Sequence, residues 1–353
     1  AMKLEGYGVL QIEPTDNCNL NCKMCKPHAE GWAMIHSVSK GFLDVDVWRK
    51  IVSDFKRERI VWDHIIFQWL GDPLIHPEID QLIAIAAKEL SGSVGYLRLD
   101  SNMIALDQRR MLRLLNVAAQ TKTPMLLVAS IDAASPEVYS QVKGKDRLKL
   151  VHENLRRFLR FRRKLQSPVN LQVQFVVQEE NGKEVLDFLT YWSDLFACQG
   201  GEFWHDEILF KRLSVDGGGE GQAAADRLYQ KSVLDQGIRQ EMKGHVQIQV
   251  WTKRPWQEDD AHIGTRTACP GLWMTPVIRH DGQLMMCCAD LQGELNLGSL
   301  KAHHFLELWN GVKAQAERRR HLSGEFRGVC QGCGGINWYD LPEDAQELVQ
   351  IRN

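Results

Sequence analysis

Residues 14–28 read PTDNCNLNCKMCKPH, with thiols at Cys18, Cys22 and Cys25 in the spacing C-x3-C-x2-C. Thiolates are soft donors that suit zinc or an iron–sulfur cluster, and a purely structural site usually takes four protein ligands. Three thiolates leave one coordination position open. On a [4Fe–4S] cube the open iron can hold a small molecule and pass it an electron. The competing reading is structural zinc with a distant fourth ligand, His28 or His36; zinc motifs usually pair C-x2-C units, which favours the cube.

The rest of the chain sets the frame. With 353 residues, 44% of them apolar, it can bury one large domain and a smaller one. Its 43 basic and 45 acidic side chains leave a net charge of −2, so no long-range field gathers nucleic acid or an anionic membrane. No apolar run approaches the roughly 20 residues of a membrane span and no signal pattern opens the chain, so a cytoplasmic location is expected. Ala1 before Met2 reads as a cleavage scar. Nine cysteines, most of them clustered at the two ends, fit metal ligation better than a disulfide framework.

Short apolar runs at 8–14, 64–70, 95–101, 125–132, 169–178 and 206–214 alternate with helical stretches at 45–57, 77–90, 107–119, 148–165 and 182–196. This is the α/β pattern of a partial (β/α)6 barrel, whose strand C-termini form one mouth. The three-cysteine stretch follows the first strand and so belongs at that mouth. The glycine-rich VDGGGEGQAAAD after 214 ends the pattern and opens a linker or bridging segment, 215–268; 269–341 reads as a small α+β domain and 342–353 as a tail. The basic run RRFLRFRRK at 156–164 is read as the solvated face of a helix that turns Leu155, Phe158, Leu159, Phe161 and Leu165 inward. Trp204, Trp251, Trp256 and Trp273 are read as core in preference to substrate lining.

CNLNCKMC behind a first strand, with the βα array that follows, resembles the radical S-adenosylmethionine (SAM) superfamily. The resemblance implies that the SAM amino and carboxylate groups chelate the open iron and that the reduced cluster cleaves SAM to a 5′-deoxyadenosyl radical. It also implies SAM contacts at the mouth: Gly71 and Asp72 in Leu70-Gly71-Asp72-Pro73, Asn102 in Ser101-Asn102, Ser130 and Asp132 in Ser130-Ile131-Asp132, and Met24 at the position packed on adenine. For the Asp72 side chain a plain turn role weighs equally, and for Asp132 a helix-capping role. Gln174 and Gln178, at i and i+4 on the fifth strand, are expected to share a face and to offer substrate contacts; an exposed face is the alternative.

Cys269, Cys287, Cys288, Cys330 and Cys333 form the second group. C-x17-C followed by C-x2-C, set among IRHDGQLMMCCAD, LGSL, ELWN and VCQGC, resembles the auxiliary iron–sulfur domain called twitch, the short form of SPASM. That implies one auxiliary [4Fe–4S] cluster held by Cys269, Cys287, Cys330 and Cys333; Cys287 is preferred over Cys288 because neighbours on a strand point apart. Cys288 and Cys198 are left over, as small buried hydrophobes or as hydrogen-atom donors in an epimerase. The layout resembles that of the butirosin-pathway inosamine dehydrogenase. Its implied activity is oxidation of a small polar substrate such as a sugar or aminocyclitol, with an electron donor such as flavodoxin or ferredoxin and no nucleic-acid or membrane partner. Alternatives are modification of a ribosomally made peptide, counted against by the short segment before Cys18, a radical epimerase, and a non-catalytic iron–sulfur protein.

Overall fold

A computed structural model describes residues 8–25, 40–199, 201, 203–215, 219–251, 268–331, 333, 335, 340–343 and 345. His28, His36 and Trp256 lie outside them. In chain order the strands of the N-terminal barrel are β1 (Gly8–Ile12), β2 (Trp62–Phe67), β3 (Val94–Ser101), β4 (Met125–Ser130), β5 (Val169–Val177) and β6 (Asp206–Arg212). All are parallel and paired in sequence order. The helices between them are α1 (Val45–Arg57), α2 (Ile79–Glu89), α3 (Gln108–Thr121), α4 (Pro136–Lys143), α5 (Leu148–Leu165) and α6 (Val185–Gln199). The fold is the expected partial barrel. Local chemistry sets several helix starts: the Asp44 carboxylate accepts from the amides of Asp46 and Val47, Asp107 caps α3 and Ser135 caps α4 ahead of Pro136. α2 begins at Ile79, two residues later than expected, because Pro73–Ile75 already forms a short 3₁₀ turn behind Asp72.

Within the segment read as a linker, residues 219–251 hold regular structure. They contribute α7 (Gly219–Tyr229) and the hairpin β7 (Glu241–Lys243) and β8 (Val246–Val250), and β8 extends the parallel run beyond β6. VQIQV alternates apolar and polar residues at period two, and its burial follows the alternation. Beyond residue 268 come α8 (Gly271–Met274), β9 (Val277–Ile278), β10 (Gln283–Met285), β11 (Asn296–Ser299), α9 (Phe305–Trp309) and α10 (Val312–Leu322). β9 pairs in parallel with the free side of β1, so one eleven-stranded sheet runs through both regions. Phe55 of α1, Trp62 of β2 and Phe305 of α9 meet edge to face at 5.1–5.8 Å between centroids, each pair contributing about 0.5–1.5 kcal/mol beyond area burial.

The basic stretch on α5 departs from its reading at one place. Arg162 is fully buried, its guanidinium forked onto the Asp206 carboxylate at 2.5 and 2.7 Å and lying over the Trp204 ring. Trp204 and Trp273 are core residues, as expected. No helix among the described residues is long and apolar enough to cross a membrane.

Candidate active site at the barrel mouth

Cys18, Cys22 and Cys25 follow β1 and are half-buried, free thiols. Burial raises the pKa of all three; for Cys25, pushed up to about 12, the charges of Cys22 and Cys18 add to the burial penalty. Among the described residues no group of three His, Cys, Asp or Glu is closed into a metal-holding arrangement. Even so, three thiols that resist ionising together form a donor set that a multiply charged iron cluster offsets, and the residues fit such a group.

The loop that carries them is clamped from three strands. From β2, a Cβ at Gly71 would meet the backbone oxygens of Thr15 and Asn17 at 2.3 and 2.4 Å, and the Asp72 amide donates to Asn17 O at 2.8 Å. Glycine is required there by contact. The Asp72 side chain is buried and wholly engaged: it accepts from Ser101 Oγ at 3.0 and 2.9 Å, from the Asn102 amide at 2.8 Å and from the Leu74 amide at 3.0 Å. Burial raises its pKa and these bonds oppose the rise. The carboxylate therefore latches the β2 loop to the β3 loop, while the backbone of Gly71-Asp72 faces the cysteine loop.

From β3, Asn102 Nδ2 donates to Asn19 Oδ1 at 2.7 Å and lies 3.9 Å from Cys18 Sγ. From β4, Ser130 donates to Asp132 at 3.1 Å, and Lys143 donates to Ser130 Oγ at 2.9 Å and to Asp132 Oδ2. Asp132 adopts φ 61° and accepts from the Val176 amide at 2.7 Å, so it braces the mouth and does not cap α4; Ser135 does that.

Lys143 is the site residue that sequence reasoning missed. It is buried at the C-terminal end of α4, and burial disfavours its charge, but Asp132 and Cys22 reverse the balance and raise its pKa. In turn it lowers the cost of ionising Cys22. Asn21 and Lys23 donate backbone bonds to Lys143 O and Val142 O, and a Cβ at Gly144 would meet Asn21 O at 2.7 Å. The available signal was Lys-Gly ending a short helix that starts at Ser-Pro.

Gln174 is buried on β5, and its neighbour on that face is Gln172, whose Oε1 accepts from Gln174 Nε2 at 2.9 Å. Gln178 lies past the end of β5, so the expected shared strand face does not include it; its Nε2 is buried without a hydrogen-bond partner. Met24 stands inside the cysteine loop. Cys198 is exposed near the C-terminal end of α6, away from the mouth, and is not brought to the other residues.

In the C-terminal region Cys269, Cys287 and Cys330 are buried and Cys288 and Cys333 half-buried, and no disulfide joins them. Cys287 and Cys288 do not sit on a strand: β10 ends at Met285. In the turn that follows, the neighbouring thiol raises the Cys287 pKa and lowers that of Cys288. Strand alternation, from which they were expected to point apart, therefore does not apply to them. Cys288 also feels the charges of Cys333 and Cys269, and its carbonyl accepts from Trp69 Nε1 at 3.0 Å, beside the mouth loop of β2. The thiol-only donor set fits an iron–sulfur group.

Comparison with known proteins gives the family and the fold. The family model described as the radical SAM superfamily matches residues 12–190, and the iron–sulfur cluster-binding domain SPASM matches 269–334. No curated protein sequence matches the chain. Among solved structures, Streptococcus suis SuiB bound to S-adenosylmethionine superposes with TM-score 0.56 at 12% identity, over 88% of this chain and 67% of that one. Native anSMEcpe with bound AdoMet gives TM-score 0.56 at 15% identity, over 98% and 96%. BtrN in complex with AdoMet and 2-DOIA gives 0.48 at 11%, over 94% of each chain.

Proposed function

Because the chain belongs to the radical SAM superfamily and carries a SPASM-type domain, binding SAM on a [4Fe–4S] cluster and further iron–sulfur at its C-terminal end, we propose that it oxidises a small polar biosynthetic substrate such as a sugar or aminocyclitol. The chemistry the bound groups supply is cleavage of SAM to a 5′-deoxyadenosyl radical, hydrogen-atom abstraction, and uptake of an electron by one auxiliary [4Fe–4S] cluster. In this reading Cys18, Cys22 and Cys25 hold the SAM cluster, and Cys269, Cys287, Cys330 and Cys333 the auxiliary one. The backbone at Gly71-Asp72, with Asn102, Ser130 and Lys143, orients SAM, and Met24 packs on its adenine. A flavodoxin or ferredoxin supplies the reducing electron.

The observation that supports the oxidation reading is a direct contact between the two thiol-bearing regions: Cys288 O accepts from Trp69 Nε1, next to the Leu70-Gly71-Asp72 loop that packs on the backbone of Thr15–Asn17 ahead of Cys18. Turnover in deuterated water tests it. A two-electron-oxidised product without solvent deuterium at the reacting carbon supports oxidation; solvent deuterium there, lost in Cys288→Ala, replaces it with epimerisation. A second reading, modification of a ribosomally made peptide, is kept because SuiB bound to precursor peptide SuiA and anSMEcpe bound to Cp18Cys peptide share this fold, with TM-scores of 0.56 and 0.53.

A further inference from the structure

On β3, β5, β6 and β8 the odd–even alternation separates two faces. Leu97, Leu99, Val173, Phe175, Ile208, Phe210, Ile248 and Val250 pack into the helix-side core. Their neighbours turn to the space the barrel encloses. The charged groups there are nearly all partnered. Arg98 and Asp100 form a two-point ion pair at 2.6 Å, and Gln172 Nε2 donates to Glu207. At the mouth, Asp132 is held by Lys143 and Ser130.

Lys211 on β6 is different. Among the described residues its side-chain ammonium has no hydrogen bond or ion pair; its Nζ lies 4.5 Å from the centroid of the Trp251 ring, just past the end of β8. Burial lowers its pKa to about 8; Arg98 pushes the same way, while Asp100 and Asp132 pull back. The group is therefore still mostly cationic at neutral pH, and the nearby described carboxylates Asp100 and Asp132 are committed to Arg98 and Lys143. A half-buried cation to which the described residues offer no counter-ion is costly, and an incoming anion relieves that cost.

We propose that Lys211 is the receptor for an anionic group of the substrate, seated against Trp251, so that the substrate is an acidic or phosphorylated member of the sugar class and not a cationic aminocyclitol. Trp251 supports the ammonium through its ring face and offers an apolar wall beside the anion. This proposal rests on the reading that the barrel interior holds the substrate.

The test uses cluster-loaded protein whose lysines are reductively 13C-methylated, with the Lys211 resonance identified by its loss in Lys211→Gln. Glucuronate, glucose 6-phosphate and glucose serve as probes. A saturable shift of that resonance at millimolar glucuronate or glucose 6-phosphate, with a raised Lys211 pKa, is expected; the responding probe distinguishes carboxylate from phosphate. Glucose is expected to leave the resonance in place. By calorimetry Lys211→Gln loses at least about tenfold in affinity for the same probe, and Lys211→Arg retains more of it than Lys211→Gln does. No saturable response to either anion, an equal response to glucose, or unchanged affinity in Lys211→Gln overturns the proposal. Formation of 5′-deoxyadenosine by the wild-type protein is measured separately, so loss of the radical reading and loss of the anion site give different results.

Discussion

Glu13, just past the end of β1, holds His280 of the C-terminal region at 2.7 Å between Oε2 and Nδ1, with both residues buried. Burial alone would lower the imidazole pKa, but the Glu13 hydrogen bond and charge, with Asp16 nearby, raise it overall. Asp16 also accepts from the Gly41 amide. The pair thus ties the base of the cysteine loop to the auxiliary region.

This tie sets a pH dependence. A histidine whose folded pKa is raised stabilises fully below its unfolded value of about 6.5, and the contribution is lost as pH rises through the folded pKa. Denaturant unfolding of wild type and His280→Gln is expected to show a stability gap that shrinks as pH rises above about 6.5. A gap that grows over this range counts against the charged pair.

Replacing Cys18, Cys22 and Cys25 together by Ala is expected to halve the iron content, from about eight to about four per chain, and to abolish 5′-deoxyadenosine formation. Replacing Cys269, Cys330 and Cys333 is expected to remove the other half. Iron and sulfide assays with electron paramagnetic resonance after reduction check both statements; bound zinc in place of iron contradicts them.

Asp72→Ala leaves the Asn102 and Leu74 amides and Ser101 Oγ without their shared acceptor, at an expected stability cost of about 1–3 kcal/mol. Asp72→Asn keeps one acceptor oxygen and is expected to cost less. Gly71→Ala acts on the neighbouring contact, since its methyl group meets two backbone oxygens. Impaired cluster incorporation with secondary structure retained is expected from circular dichroism and iron analysis; normal incorporation argues against the clamp.

Lys143→Met strands the Asp132 carboxylate in the interior, at an expected cost of about 3–5 kcal/mol. Combining it with Asp132→Asn is expected to recover part of the stability but not SAM binding. A double-mutant cycle read by unfolding, alongside SAM titration, separates the two effects. Full recovery of SAM affinity in the double variant would remove Lys143 from the cofactor site.

Much of this architecture was legible because apolar runs such as HIIF and MLLV bury in parallel strands and because Asp44 and Asp107 announce helices in their own side-chain chemistry. VQIQV was passed over because a strand that short carries little signal beside a glycine-rich stretch. Its partner β6 was visible, but no local rule says that β6 needs another neighbour. Lys143 and Arg162 were hidden for a shared reason. Each is a cation on a helix, and only the tertiary partners Asp132 and Asp206 make burial tolerable. Cys287 and Cys288 lie two and three residues past the end of β10, where alternation no longer holds.

The pairing of β1 with β9 also orders events during synthesis. Gln11 and Ile12 bond to β2 on one side, but their other side receives Val277 and Ile278, near the opposite end of the chain. Until those residues leave the ribosome, the strand that introduces the three thiols presents an open edge, a surface prone to mispairing with other chains. Closure then demands contacts of high sequence separation, which form slowly. The nascent protein therefore passes through a period in which the cysteine loop exists but its final sheet does not.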